Sequence, residues 1–475
     1  MFSDNEKCLK VKTTTREYHI PELVVACEKS PAEVIREIDC WITGVGATPE
    51  KSGFIKKLAY ETQHGLDDSR GFEEDFRVAV TAYTERELEK KLLQLRKMVA
   101  EEPEVSFSYP AAGMFYGHGK PLGRTAFLFP GQGSQYLGMG GPLASAFAAA
   151  RQVWERLGTM RFNGKTINET VFPDEMTDER KIEEAFLKLS GADWTNPCIS
   201  VAGEAILTLF KKMGLRPDAV AAHSFGDISA YRAAGILAAA DMIKATRYRG
   251  KLGVTCPLAT RGCVLIVLEG AEKINAVLEE NRLDEVWIAN YNTRRQTVLS
   301  GIRDAVYKAH GIFEAKGINS RLIPISGAPH CPLAVGVADK FSQYLTSLNF
   351  KQADCDVYSF LFGRKVGNDP SLFRKLLKSH IEKPVRFLSQ IEQMYNDGIR
   401  IFIEIGPSDV LTNLVEQILE DKTHIALCTD RKKGDAVLVF LNAVAELLKE
   451  GLINNLEVLW EGYEIPEASH DNLST

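Results

Sequence analysis

The stretch from Asp218 to Leu237, D-A-V-A-A-H-S-F-G-D-I-S-A-Y-R-A-A-G-I-L, constrains this chain more than any other. Ala219 to Ala222 form a run of small and apolar residues too short for a helix, so they read as a buried strand. The chain then turns at His223-Ser224-Phe225-Gly226 and enters an alanine-rich helix. A serine on a sharp strand-to-helix turn, with small residues two before and two after it, has the form of a nucleophile elbow. The small flanks, here Ala222 and Gly226, let the turn close and expose the hydroxyl, while the first helical amides face any negative charge developing beside it. Taken alone, A-x-S-x-G also describes many ordinary turns.

A second stretch decides between them. Thr125 to Phe129 reads as another buried strand and runs into Phe129-Pro130-Gly131-Gln132-Gly133-Ser134-Gln135. F-P-G-Q-G-S-Q followed by H-S-F-G-D, with Gln132 and Ser224 92 positions apart, resembles the malonyl-CoA:acyl-carrier-protein transacylases and the acyltransferase domains of polyketide and polyunsaturated-fatty-acid synthases. The resemblance runs from about Gly123 to Cys428, and E-I-G-P-S-D-V-L-T-N-L at Glu404 to Leu414 adds to it. Upstream, R-V-A-V-T-A-Y-T-E-R-E-L-E-K-K-L, starting at Arg77, resembles the linker domain that precedes acyltransferases in multidomain synthases. A ketosynthase, which would come earlier in such synthases, has no counterpart, so the sequence suggests a free-standing acyltransferase or an excised piece of a synthase.

A chain of 475 residues exceeds what one hydrophobic core supports, so two or three domains are expected. The balance of 45% hydrophobic and 25% charged residues is that of a globular protein, and the formal charge of −6 argues against nonspecific nucleic-acid binding. Nine cysteines without a C-x-x-C pair or metal spacing imply free thiols in a reducing compartment and no metal site. The longest apolar runs, such as Val437 to Leu448 with its Asn442 and Glu446, fall short of a membrane span. The expected setting is soluble and cytoplasmic.

The alternation of elements gives an α/β fold: a hydrolase-like parallel-sheet core with an inserted ferredoxin-like subdomain, preceded by a small α/β linker domain. The linker domain is placed at 1–122, the core at 123–255 and 329–428, the inserted subdomain at 256–328, and a C-terminal helix and tail at 429–475. In the insert, Gly262–Leu268, Val286–Tyr291, Thr297–Ser300 and Ser320–Ile325 are expected strands, and Ala271–Arg282 and Arg303–Lys316 expected helices. Ser30-Pro31-Ala32-Glu33 predicts a capped helix start. Asp435–Lys449 predicts a helix, Gly451–Trp460 a segment packing back on the linker, and Glu467–Thr475 a disordered end.

Ser224 needs a base, since an unassisted hydroxyl is barely nucleophilic at neutral pH. The resemblance implies that His330, in Gly327-Ala328-Pro329-His330-Cys331, supplies it, giving a Ser–His dyad whose imidazole is oriented by a backbone carbonyl. The matching carbonyl lies four residues before Pro384, at His380. The amides of Gln132 and Phe225 are the implied oxyanion donors. Arg249, 25 positions after Ser224, matches the arginine that binds the free carboxylate of malonyl groups, a task suited to a planar guanidinium. Asn292 matches a position near the mouth of the site, where shaping the loop is its expected part. Gly327-Ala328-Pro329-His330 fits neither H-A-F-H, common in malonyl enzymes, nor Y-A-S-H of methylmalonyl ones. Ala222 for glycine, Asp227 for glutamate, and Gly253-Val254 for Met-Gln are further departures. Cys331 and His223 read as structural, and Arg294-Arg295, Lys211-Lys212 and Arg431–Lys433 as solvated turns that could alternatively meet an acidic carrier protein.

The implied activity is transfer of a malonyl-type group from coenzyme A, through a serine ester, to the phosphopantetheine thiol of an acyl carrier protein, with no cofactor of its own. Malonyl-CoA, the carrier and other synthase modules are the implied partners; nucleic acid and membrane are not. A hydrolase clearing carrier proteins, and an inactive docking module, are the rivals.

Overall fold

The computed structural model describes residues 20–47, 53–66, 75–174, 178–323 and 327–463. Its first layer is an antiparallel sheet built from β1 (Glu22–Glu28), β2 (Phe76–Ala82), β3 (Phe107–Tyr109) and β4 (Met114–His118), in the order β1-β2-β4-β3. Val78, Ala79, Val80, Thr81 and Ala82 are all buried, so β2 is covered on both faces. On one side lie the helices Pro31–Gly46 and Glu85–Glu101. The first is capped as its sequence predicts: Ser30 Oγ accepts from the Glu33 amide at 3.3 Å, with Pro31 in the first turn.

The other side of β2 meets the helix Ala436–Lys449, A-V-L-V-F-L-N-A-V-A-E-L-L-K, which is apolar almost all round. A helix of that composition is stable only when buried on every side. Phe440 lies against Phe147 and Phe210 of the following layer, with ring centroids 5.6 and 5.5 Å away. The two polar interruptions are satisfied. Asn442 accepts from Thr81 Oγ1 at 2.8 Å and donates to the Pro110 carbonyl at 2.9 Å, and Glu446 pairs with Lys449 at 2.6 Å. Trp460 donates from Nε1 to Gln63 at 2.8 Å, so the segment after this helix does return to the N-terminal unit.

The central sheet contains β5 (Arg124–Phe129) and, beyond a short hairpin of β6 (Arg161–Phe162) and β7 (Lys165–Thr166), β8 (Ala219–Ala222). The inserted strands β9 (Gly262–Val267), β10 (Val286–Thr293), β11 (Gln296–Ile302) and β12 (Ser320–Ile323) form their own antiparallel sheet, ordered β10-β11-β9-β12. With the helices Ala271–Glu280 and Arg303–Ala315, this is the β-α-β-β-α-β arrangement the sequence implies. The central sheet resumes with β13 (Asp356–Ser359), β14 (Arg364–Lys365), β15 (Ile399–Glu404) and β16 (Ile425–Cys428), in the order β14-β13-β8-β5-β15-β16. All its pairings are parallel except that of the edge strand β14. Ile325, expected to end β12, and the expected disordered end Glu467–Thr475 lie outside the described residues. Among the described residues no helix is long and apolar enough to cross a membrane.

Arg77 joins the layers. It is 1% exposed and donates to the carbonyls of Lys449 at 2.8 Å and Gly119 at 2.6 Å. Replacing it with alanine leaves buried acceptors unsatisfied, each costing about 1–3 kcal/mol. Arg77→Ala is therefore expected to lower stability by about 2–5 kcal/mol in denaturant titration, and an unchanged midpoint would contradict this role.

Candidate active site

The site lies where the carboxyl ends of the neighbouring strands β5 and β8 release their loops. The two loops touch so closely that only glycine fits at two points. A Cβ on Gly226 would sit 2.3 Å from the Phe129 carbonyl oxygen, and one on Gly131 would sit 2.8 Å from that of His223. Between them Ser224 adopts a left-handed backbone, φ 56°, which is costly for a side chain that is not glycine and common where geometry serves chemistry. The helix Gly226–Ala233 starts immediately after, with Phe225 as its N-cap. Ser134 Oγ donates to the Gly131 carbonyl and Ser408 Oγ to that of Ser134, fastening the Gln132 loop to the turn after β15.

His330 arrives from the opposite side, at the return from the inserted subdomain, also with positive φ (61°). Ser224 Oγ and His330 Nε2 are 2.7 Å apart. His330 Nδ1 lies 3.0 Å from the carbonyl oxygen of Lys383, which can only accept, so Nδ1 carries the proton and Nε2 is left as the acceptor for the serine hydroxyl. The main-chain partner expected at His380 is thus three residues further on. His380 begins the same turn, and its carbonyl adds a weaker contribution of the same sign to the imidazole. The reason for the shift is local: the helix Pro370–Ser379 ends at His380, and the unwound residues after it turn successive carbonyls toward His330. The His330 amide itself donates to the Ile381 carbonyl at 2.6 Å.

Burial, reinforced by the nearby charge of Arg249 and by His223, lowers the His330 pKa to about 3, against the opposing pull of the two carbonyls. Its imidazole is therefore a free base throughout the neutral range. Cys331, the neighbouring thiol, is 1% exposed, bonded to the Ala328 carbonyl at 3.3 Å and raised in pKa chiefly by burial, which removes it as a competing nucleophile.

Two small adjoining cavities flank the serine. One is lined by Ser224, His330, His223, Gln132, Asn290 and Pro329. The other is lined by Arg249, Gln132, Gly253, Gly327, Ala328 and Pro329, among others. Arg249 is 3% exposed on the helix Ala239–Thr255. Gly250 beside it allows that helix to approach Ala192, whose carbonyl oxygen would be 2.1 Å from a Cβ there. Burial pushes the Arg249 pKa down to about 9 despite the charge of Asp227, and Nη2 has no hydrogen-bond partner among the described residues. A desolvated cation with unused donors favours an arriving anion. Asn292 accepts from His223 Nε2 at 2.9 Å and donates to Gln296 at 2.7 Å, tying the elbow to the inserted sheet. Arg294 and Arg295 are exposed in the turn between β10 and β11, the solvated turn the sequence suggests, and there they pair with Glu392 and Glu420. Among the described residues no group of three or more His, Cys, Asp or Glu is arranged to hold a metal ion.

The family model for the acyl transferase domain matches residues 126–447. This chain belongs to that family. It is 31% identical over 304 residues to the malonyl CoA-acyl carrier protein transacylase of Bacillus subtilis, a match covering 62% of this chain and 91% of the relative. It is 26% identical over 396 residues to a polyunsaturated fatty acid synthase subunit of Thraustochytrium sp., covering 79% of this chain but only 13% of that much longer protein. Among solved structures, the acyltransferase domain from the second module of the salinomycin polyketide synthase superposes with a TM-score of 0.67 at 27% identity, covering 92% of this chain and 95% of the other.

Sequence reasoning missed the Lys383 carbonyl, because a main-chain acceptor leaves no side-chain signature, and Asn290, which lines the serine's cavity with a buried Oδ1 that has no partner among the described residues. A depressed His330 pKa makes a specific expectation for this acyltransferase. The imidazole is an active base only above its own pKa, so the rate of Ser224 acylation should stay flat between roughly pH 5 and 8. A loss of rate centred near the ordinary histidine value of about 6.5 would contradict the buried, neutral base.

Proposed function

We propose that this acyltransferase moves a malonyl-type acyl group from coenzyme A to the phosphopantetheine thiol of an acyl carrier protein by way of an ester on Ser224. The observation that carries the reading is that Arg249, a buried cation with unused donors, lines a cavity adjoining the one that holds Ser224 and His330. His330 takes the hydroxyl proton as Ser224 Oγ attacks the thioester carbonyl. The oxyanion forms near the amides of Gln132 and Phe225, and His330 passes its proton to the departing coenzyme A thiolate. The carrier's thiol then repeats these steps in reverse, so the kinetics are ping-pong. The relative named as a malonyl CoA-acyl carrier protein transacylase supports both substrates, and a related malonyl transacylase solved in complex with an acyl carrier protein supports the partner. Among the described residues the N-terminal unit contributes none to either cavity, which supports a structural part for it.

Arg249 also bears on the rival reading of a carrier-clearing hydrolase, which has no use for a carboxylate-binding cation. An acetyl group beside it would leave the buried guanidinium without an anionic partner, a loss of about 1.5–3 kcal/mol. Since about 1.4 kcal/mol is tenfold, malonyl-CoA should be preferred over acetyl-CoA by at least that factor. Gly327, Ala328 and Pro329 place no bulky ring on the cavity wall, so methylmalonyl should load measurably but less than malonyl.

The test is a competition among acetyl-, malonyl- and methylmalonyl-CoA, with the ester mass on Ser224 read by mass spectrometry. Ser224→Ala should abolish acylation, and His330→Ala should slow it by a factor on the order of 10² to 10⁴. Arg249→Ala should erase the malonyl preference. Malonyl found on another residue of the Ser224→Ala protein, or acetyl winning in the wild type, would sink the reading.

A further inference from the structure

Behind the acyl cavity stand two titratable side chains that the proposed chemistry does not use. His380 is fully buried, and its Nε2 accepts from Arg249 Nε at 2.8 Å. Its Nδ1 lies 3.9 Å from Oδ2 of Asp227, itself 2% exposed on the helix that follows Ser224. Neither of those two facing atoms has a hydrogen-bond partner among the described residues. The imidazole lies nearly parallel to the rings of Phe341 and Phe360, at 11° and 22° with centroids 6.0 and 6.3 Å away.

We propose that Asp227 and His380 are positioning residues that hold the Arg249 guanidinium by its Nε edge and thereby set the preference for acyl groups ending in a carboxylate. The inference rests on the reading of Arg249 as the carboxylate-binding cation. An N–H of Arg249 can only donate, so the His380 nitrogen it meets must carry a lone pair. His380 is therefore neutral, with its proton on Nδ1, directed toward Asp227. Burial acts in the same direction on its pKa. The opposite tautomer would set two N–H groups against each other at 2.8 Å, so the Arg249 contact requires the proton on Nδ1, where it faces a carboxyl oxygen 3.9 Å away, beyond direct hydrogen-bond reach. Burial raises the Asp227 pKa, and its carboxyl keeps an acceptor oxygen in either protonation state. With Nε occupied, the guanidinium can meet a carboxylate only through its two Nη atoms, of which Nη2 is buried and unused. A merely bulky residue at 380 would fill the space and leave the arginine free to turn.

The readout is the ratio of kcat/KM for malonyl-CoA over acetyl-CoA in Ser224 acylation. A purely structural role would lower both numbers together and leave the ratio alone. His380→Phe, which keeps a ring and removes the acceptor, should lower the ratio at least tenfold through a raised KM for malonyl-CoA. His380→Gln, whose amide oxygen can accept from Arg249, should restore most of it. Asp227→Leu, which removes the acceptor facing Nδ1, should lower the ratio several-fold, and Asp227→Asn should recover it. If His380→Phe fails to fold, the Asp227 pair decides by the same ratio. A ratio unchanged in both His380→Phe and Asp227→Leu, while Arg249→Ala collapses it, overturns the positioning role and spares the cation. A ratio unchanged in Arg249→Ala overturns the cation itself.

Discussion

The hydrogen-bonded path from Ser224 Oγ through His330 to the Lys383 carbonyl is the interaction on which the rest of the molecule depends. Its three members come from the turn after β8, the return from the inserted subdomain, and the residues after the helix Pro370–Ser379. No local sequence preference could bring them together. The path also lacks the carboxylate that often orients such a histidine. Helix ends take over part of that work. Ser224 sits at the amino end of Gly226–Ala233, where negative charge is favoured, and His330 faces carbonyls at the carboxyl end of Pro370–Ser379, where positive charge is favoured. The proposed proton transfer from serine to histidine would create that pair of charges.

The four residues from His380 to Lys383 do more than one job. The Lys383 carbonyl holds the His330 ring, the Ile381 carbonyl holds its amide, and the His380 side chain holds Arg249. One short turn thus fixes the distance between base and cation. Phe360 contributes to the same geometry, lying edge-on to His330 at 5.9 Å and face-on to His380. The N-terminal sheet and the helix Ala436–Lys449 stand apart from this machinery. They stack behind the catalytic layer and reach it through core contacts such as Phe440 on Phe210.

Much of this was legible in the sequence because it depends on short-range rules. The strands β5 and β8 are apolar runs ending in glycine-bearing turns, and Gly131 and Gly226 mark the points where the two loops touch. The inserted β-α-β-β-α-β unit follows from alternating patterns, with ends that moved by a residue or two. The position of the imidazole's main-chain acceptor was less legible, since every residue carries a carbonyl and only the unwinding after Ser379 selects Lys383. Nor could the sequence disclose the contact of His380 with Arg249, which spans 131 positions. The apolar helix Ala436–Lys449 was visible as a helix, but its place between two layers rests on partners such as Thr81 and Phe147 far away in the chain.

For the proposed chemistry to hold, the base-activated serine and the carboxylate-binding cation must act on one bound acyl group. A crystal structure of the malonyl ester on Ser224 would show whether they do. The ester carboxylate should then lie within hydrogen-bond distance of Arg249 Nη2, with Arg249 Nε still on His380. A malonyl group attached elsewhere, or an ester on Ser224 whose carboxylate turns away from Arg249 into solvent, would contradict it.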